Sequence, residues 1–223
     1  MAKLKKSYFC TACGNESPKW VGKCPACGQW NTYTEEIVAA KSTPLTTNNF
    51  FSLSAGSGER NRPIPVHQVQ RAAFERIDLL NQEVNRVLGG GLVPGSLVLL
   101  GGEPGIGKST LALQIAVRME NSPILYVSGE ESPEQIKMRA DRIGVLNEQC
   151  MILSETSLEN IITQLTENTP ELVVIDSIQT MYNEEVSSAP GSVSQVREST
   201  GILLQLAKGL GVSVLIVGHV TKE

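Results

Sequence analysis

Four cysteines and one glycine-rich octapeptide carry the most specific chemistry in this sequence. Cys10, Cys13, Cys24 and Cys27 follow the pattern C-x2-C-x10-C-x2-C. Each C-x-x-C pair makes a tight turn that aims two thiolates at one point, and two such turns complete a tetrahedron around Zn²⁺. Gly14 and Gly28 each follow the second cysteine of a pair, where a turn often needs positive φ. Four sulfur ligands would leave no open position, so the expected zinc is structural. A pair of redox dithiols is the alternative. Cys150, beside Met151-Ile152-Leu153, reads as an inert core thiol.

The octapeptide Gly102-Glu103-Pro104-Gly105-Ile106-Gly107-Lys108-Ser109 matches G-x4-G-K-[ST] in full. Its glycines let backbone N–H groups curl around phosphate oxygens, and a helix N-terminus adds partial positive charge. Lys108 is expected on the β- and γ-phosphates of ATP (the β-phosphate of ADP), and Ser109 on Mg²⁺. The backbone N–H of Thr110 is a candidate α-phosphate contact. The carboxylate that a Mg²⁺ site needs is supplied by Asp176, which ends the apolar run Leu172-Val173-Val174-Ile175. Glu130 follows the strand Ile124–Ser128 and is the candidate base for water, with Glu131 as a helper. The competing reading makes both acids helix caps before Ser132-Pro133. His219 is a candidate γ-phosphate sensor, or a structural histidine; His67 reads as structural.

These groups need a scaffold, and the pattern supplies one. Strands are expected at 96–100, 124–128, 151–154, 172–176 and 213–218. Helices are expected at 108–120, 133–143, 158–167 and 193–209. Strict alternation implies an α/β core with a mainly parallel sheet and helices on both faces. The apolar runs at 97–100, 172–175 and 214–217 suit strands buried on both sides. Phe74, Ile77, Leu80, Val84, Val87 and Leu88 have helical spacing, ended by Gly89-Gly90-Gly91. The expected organisation is a four-cysteine finger over 1–33, a Ser/Thr/Asn/Pro-rich linker over 34–66 and the core over 67–223. Phe50 and Phe51 in the linker are candidates to dock on a neighbouring surface.

The 223 residues allow one domain plus a small module. The net charge of -4 argues against uniform coating of nucleic acid. It is uneven, however. Residues 1–30 hold Lys3, Lys5, Lys6, Lys19 and Lys23 against Glu16, a net +4, which leaves -8 for the rest. The basic head reads either as a nucleic-acid contact or as a solvated tail. Tyr8, Phe9, Trp20 and Trp30 either stack on bases or fill the finger's core, and the core reading is preferred. No apolar run reaches the roughly 18 residues of a membrane span, and the start lacks an export segment, so a cytoplasmic location is expected.

The cysteine pattern, Val87-Leu88-Gly89-Gly90-Gly91-Leu92-Val93-Pro94-Gly95-Ser96, the P-loop through Thr110, Tyr126-Val127-Ser128-Gly129-Glu130-Glu131-Ser132 and Gly218-His219-Val220-Thr221-Lys222 together resemble the bacterial RadA (Sms) family. These are DNA-repair ATPases related to RecA. The resemblance implies a zinc finger joined to a RecA-like core, and ATPase activity linked to single-stranded DNA. It also implies processing of branched recombination intermediates beside the RecA recombinase, and a hexameric ring. It matches Glu130 to the family's catalytic glutamate. A DNA-facing loop would fall at Asn183–Gln195, which is flexible in composition and contains no lysine or arginine; Arg197 is the nearest cation. Gln179 and His219 become candidates for coupling nucleotide state to the loops. Family members continue past the Gly-His-Val-Thr-Lys motif, so the chain reads as an N-terminal portion with an incomplete core. Nucleotide binding is expected to survive better there than hydrolysis or ring assembly.

Other readings fit less well. A GTP switch needs DxxG, and Asp176-Ser177-Ile178-Gln179 lacks the glycine. A small-molecule kinase needs no zinc finger. KaiC-like and DnaB-like ATPases share the core but not the four-cysteine head. A non-enzymatic module, in which the finger docks partners and the P-loop is only a switch, is the alternative from a different class.

Overall fold

The computed structural model of the protein describes residues 4–39, 63–68, 75–144, 147–186 and 188–219. Most of the expected linker, with Phe50 and Phe51, lies outside these residues, as do Phe74 and 220–223.

The N-terminal module is a three-stranded antiparallel ribbon in the order β2-β1-β3. Its strands are β1 (Leu4–Cys10), β2 (Glu16–Ser17) and β3 (Tyr33–Ala39). β3 pairs with β1 along its whole length, from Cys10↔Tyr33 to Leu4↔Ala39. The sheet therefore carries the module to Ala39, past the boundary expected at 33. Among the described residues its buried apolar centre is Cys10, Cys24 and Tyr33, with Tyr8, Ala12 and Cys13 packed against it. That is too little apolar surface to hold a fold without a metal or other staple.

The core begins with a shorter helix than expected. Only α1 (Gln82–Val87) is helical, capped by Asn81, whose side chain accepts from the Val84 N–H. Ile77 instead pairs with Leu92 in an antiparallel bridge, and Leu80 sits at φ 50. The apolar spacing at 77–80 thus reflects packing of an extended segment. Gly91 lets this bridge close: at its φ of 126°, a Cβ would lie 2.5 Å from the Ile77 carbonyl oxygen.

Five parallel strands follow in the order β4-β8-β7-β5-β6. They are β4 (Leu97–Gly102), β5 (Ile124–Ser128), β6 (Cys150–Ser154), β7 (Leu172–Asp176) and β8 (Ser213–His219). Crossovers after β4 and β5 run one way across the sheet, and those after β6 and β7 run back. Right-handed crossovers therefore place α2 (Lys108–Arg118) and α3 (Pro133–Ile143) on one face. They place α4 (Leu158–Asn168) and α5 (Val193–Leu210) on the other. Two buried clusters match: Leu113, Ile115 and Ile136 with Tyr126 and Val174 on the first face, Ile161, Leu165 and Leu203 with Val173 and Ile175 on the second.

β5 and β7 are buried at every position. β4 is not. It lies at the sheet edge, and Leu99 is 59% exposed. The expectation of burial on both sides fails there: helix α5 reaches Leu97, but Leu99 further along the same side of this edge strand stays exposed.

The loop at 183–195 is more constrained than its composition implies. Gln195, 1% exposed, closes it with one amide. Its Oε1 accepts from the Asn183 N–H, and its Nε2 donates to the carbonyls of Asn183, Val186 and Ser188. The ribbon meets the end of this loop: a Cβ on Gly14 would lie 3.1 Å from Val193 Cγ1. Gln195→Ala removes a partner from four backbone groups at once, of which the Asn183 carbonyl still accepts from the Val186 N–H. Leaving buried polar groups unsatisfied costs about 1–3 kcal/mol, so Tm should fall by roughly 3–10 °C. Limited proteolysis should then cut within 183–195. An unchanged Tm and digestion pattern would remove the clamp.

Candidate nucleotide site and metal centre

Parallel registry brings the carboxyl ends of four strands to one edge. Ser128 pairs with Asp176, and Gly102 with His219. Ligands of open α/β sheets bind outside that edge.

The P-loop leaves β4 at Gly102 and enters α2 at Lys108. Gly105 and Gly107 have φ of 80° and 93°, and nothing lies within 4 Å of where their Cβ atoms would be. Gly107 is the N-cap of α2 and provides no side-chain cap. The first N–H groups of the helix therefore receive no side-chain cap, and such a terminus favours an anion. Lys108 is buried, with Nζ donating to the carbonyls of Gly102 at 2.9 Å and Glu103 at 2.7 Å. Glu103, Pro104, Ile106 and Thr110 are exposed along the loop and the first helical turn.

Ser109 Oγ donates to Asp176 Oδ1 at 2.8 Å, and the Tyr126 hydroxyl donates to Asp176 Oδ2 at 2.6 Å. Burial and the Asp176 carboxylate push the Tyr126 phenol far up, so it stays a donor. Arg139 Nη2 donates to the Tyr126 hydroxyl at 3.2 Å, and Nη1 pairs with Glu131 Oε1 at 3.0 Å. Glu131 therefore belongs to a supporting chain of charges rather than to the open edge where Glu130 lies. Ser109 and Asp176 form the oxygen pair that Mg²⁺ takes in P-loop proteins, so these residues fit that ion.

Glu130 stands apart from that chain. Its Oε1 accepts from Ser177 Oγ at 2.7 Å and lies 3.9 Å from His219 Nε2. Its side chain is 50% exposed. Neither acid caps α3: Ser132 and Gln135 form a reciprocal capping box there. Gln179 Nε2 donates to the His219 carbonyl at 3.3 Å. Gln179 Oε1 and His219 Nδ1 are buried without a partner. Orphaned polar atoms at this edge are what a ligand-binding site leaves when its groups await a polyanion and water. The structure thus brings Lys108, Ser109, Asp176, Glu130 and His219 to one edge.

Sequence reasoning missed Tyr126 as a functional group, together with Arg139, Ser177 and Gln195. A tyrosine inside the otherwise apolar run Ile124–Val127 was the available signal, because a buried hydroxyl needs a partner.

The four cysteine sulfurs lie within 4.8 Å of one another. Cys10 Sγ is 3.7 Å from Cys27 Sγ, and Cys13 Sγ is 3.5 Å from Cys24 Sγ. A tetrahedron with Zn–S of about 2.3 Å has edges of about 3.8 Å, so the donors fit zinc. Burial pushes the Cys24 thiol up, but N–H groups of Cys27 and Ala26 and the Tyr33 hydroxyl outweigh it and bring it down to about 6. At Cys13 the Asn15 N–H favours the thiolate, but burial and the three neighbouring sulfurs push it up to about 12. Four thiolates this close repel, and a divalent cation removes that repulsion.

Comparison with known proteins agrees with both halves. Residues 65–223 match the AAA domain model, and residues 8–35 match a rubredoxin metal binding domain. The chain belongs to the AAA domain family. Over its whole length it is 50% identical to the DNA repair protein RadA of Bacillus subtilis (strain 168), and it covers 48% of that protein. It is 46% identical to RadA of Listeria monocytogenes serovar 1/2a, again covering 48%. The chain thus spans about half the length of the curated relatives it matches, and corresponds to their N-terminal portion. The RadA resemblance and the RecA-like fold hold. The crystal structure of a KaiC-like protein, PH0186 from Pyrococcus horikoshii OT3, superposes with a TM-score of 0.54 at 21% identity, over 66% of this chain and 71% of that one. Among the described residues no helix is long and apolar enough to cross a membrane.

Two measurements check this site. Gly129→Ala would place a Cβ 2.2 Å from Thr180 Oγ1 and 2.8 Å from Thr156 Cγ2. It should displace Glu130 and lower any ATP turnover by at least tenfold, with nucleotide affinity nearly kept; unchanged turnover would free Glu130 from that geometry. Alkylation by iodoacetamide at pH 8 tests the sulfurs. Burial pushes Cys150 up to about 11, so it stays protonated and slow at this pH. The zinc-loaded chain should label poorly, and a chelator should release fast labelling at Cys24, the thiol brought down to about 6, while Cys150 stays slow. Equal labelling before and after chelation would refute the metal centre.

Proposed function

We propose that the protein is the N-terminal portion of a DNA-repair ATPase that hydrolyses ATP in response to single-stranded DNA. One observation carries this reading: the 2.8 Å contact of Ser109 with Asp176 beside Lys108, with Glu130 at the same strand edge. The AAA family match and the similarity to RadA proteins support it.

Lys108 would release the Gly102 and Glu103 carbonyls and turn to the β- and γ-phosphates. Ser109 and Asp176 would hold Mg²⁺, which neutralises charge on the phosphate oxygens when bound. Glu130 would take a proton from the attacking water. The water oxygen then bonds to the γ-phosphorus as the bond to the β,γ-bridging oxygen breaks, leaving ADP and phosphate. Ser177 orients the Glu130 carboxylate. His219 and Gln179, joined to each other and next to Glu130, would report the γ-phosphate to the neighbouring loops.

In the whole protein this turnover would drive branch migration or helicase-like movement on branched DNA, alongside the RecA recombinase. A hexameric ring in the cytoplasm is the assembly this reading carries. A zinc-tethered nucleotide switch without productive turnover is the second reading, supported by the half-exposed Glu130 and by partner-free atoms on Gln179 and His219.

ATPase rate with and without oligo(dT), on the wild type and two variants, separates them. Lys108→Ala should abolish tight ATP binding. Glu130→Gln should keep ATP binding while lowering kcat by about 10²–10⁴. Wild-type turnover should rise with oligo(dT). Tight ATP binding with no turnover in any condition would favour the switch, and normal turnover in Glu130→Gln would remove the base.

A further inference from the structure

We propose that the second zinc knuckle carries a base-stacking site for single-stranded nucleic acid, built from Trp20, Trp30 and Lys23. This rests on the DNA-binding reading above and places part of that contact on the ribbon.

Trp20 is 54% exposed and Trp30 is 67% exposed. The ribbon's buried centre excludes both, so the expectation that they fill it fails. They are the two tryptophans of the sequence. Large rings held in water on a module this small are unusual unless they meet something.

The rings flank a single backbone position. The Cβ site of Gly22 lies 3.7 Å from Trp20 Cη2 and 3.9 Å from Trp30 Cζ3. Lys23 pairs with Trp30 across an isolated bridge, and its Nζ sits 5.5 Å from the Trp30 ring centroid. The Cys24 N–H donates to the Gln29 carbonyl at 2.8 Å, and the Asn31 N–H to the Gly22 carbonyl at 2.8 Å. The platform is thus fixed on the turn that also presents Cys24 and Cys27.

Charge selects the occupant. No acidic residue lies between Ser17 and Thr34, and Lys19 and Lys23 are both exposed. Neighbouring aromatic faces bordered by lysines suit unstacked bases followed by phosphates. Duplex bases hide their faces in the stack, so the site selects single strands. The 183–195 loop, by contrast, has no lysine or arginine and spends Gln195 on its own closure.

The test uses the zinc-loaded 223-residue chain. Oligo(dT) should quench its tryptophan fluorescence, to which Trp20 and Trp30 alone contribute, and a duplex of equal length should quench it far less. By anisotropy of a labelled oligo(dT), Trp20→Ala and Trp30→Ala should each weaken binding by about 5- to 150-fold. Trp30→Phe should recover part of the loss. Lys23→Ala should flatten the slope of log affinity against log salt by about 0.7. Zinc content, Tm and ATP turnover without DNA should be unchanged in all four. Oligo(dT) bound equally by wild type and alanine variants, without quenching, would overturn the site while leaving DNA binding standing. Quenching by a protein ligand but not by oligo(dT) would overturn it too. No oligo(dT) binding by the wild type would take down the DNA reading along with it.

Discussion

The carboxyl-end edge of the sheet is organised around one buried carboxylate. Asp176 is 6% exposed, and an unpaired carboxylate there would cost several kcal/mol. Two hydroxyls meet it, one from the P-loop helix and one from the next strand. Ser109 cannot reach Asp176 unless α2 starts at Lys108, and that start needs the left-handed turn at Gly107. Tyr126 cannot serve unless β5 lies beside β7 in register, Ser128 opposite Asp176. The carboxylate therefore ties helix, loop and sheet order together. Arg139 extends the tie to α3 and balances the charge through Glu131.

This constraint also separates the two acids after β5. They are adjacent in sequence and identical in type, so spacing alone could not divide their roles. Their surroundings divide them. Glu131 faces a guanidinium and is drawn into the supporting chain. Glu130 faces a serine hydroxyl and an imidazole at the open edge. Of the two, Glu130 is the half-exposed acid at the open edge, the position from which a carboxylate reaches solvent. Gly129 makes this possible, because any side chain there would strike Thr180 and Thr156.

Much of the core was legible because its signals are local. Strands β5 and β7 and helix α3 fall on the expected residues, since apolar runs, Ser132-Pro133 and Gly144 mark their ends. The P-loop and zinc cysteines were legible because each needs residues a few positions apart. What was not legible depends on partners far along the chain. The Arg139–Tyr126–Asp176 links span 13 and 50 positions. The Ile77–Leu92 bridge looked helical because a bridge and a helix can share apolar spacing over so short a stretch. Leu99 looked buried because hydropathy does not distinguish a central strand from an edge strand.

The ribbon inverts the logic of the core. In the core, apolar side chains supply the cohesion, and polar groups are admitted only with partners. In the ribbon, sulfur donors arranged for a metal take the place of an apolar centre. Its largest rings are thereby released from packing duty. Burying a tryptophan in such a module would bring a large gain in stability, because aromatic burial dominates small cores. The sequence instead spends both outside, around a glycine and beside a lysine. A fold this small that leaves its best cohesive residues in water is shaped by what it must touch.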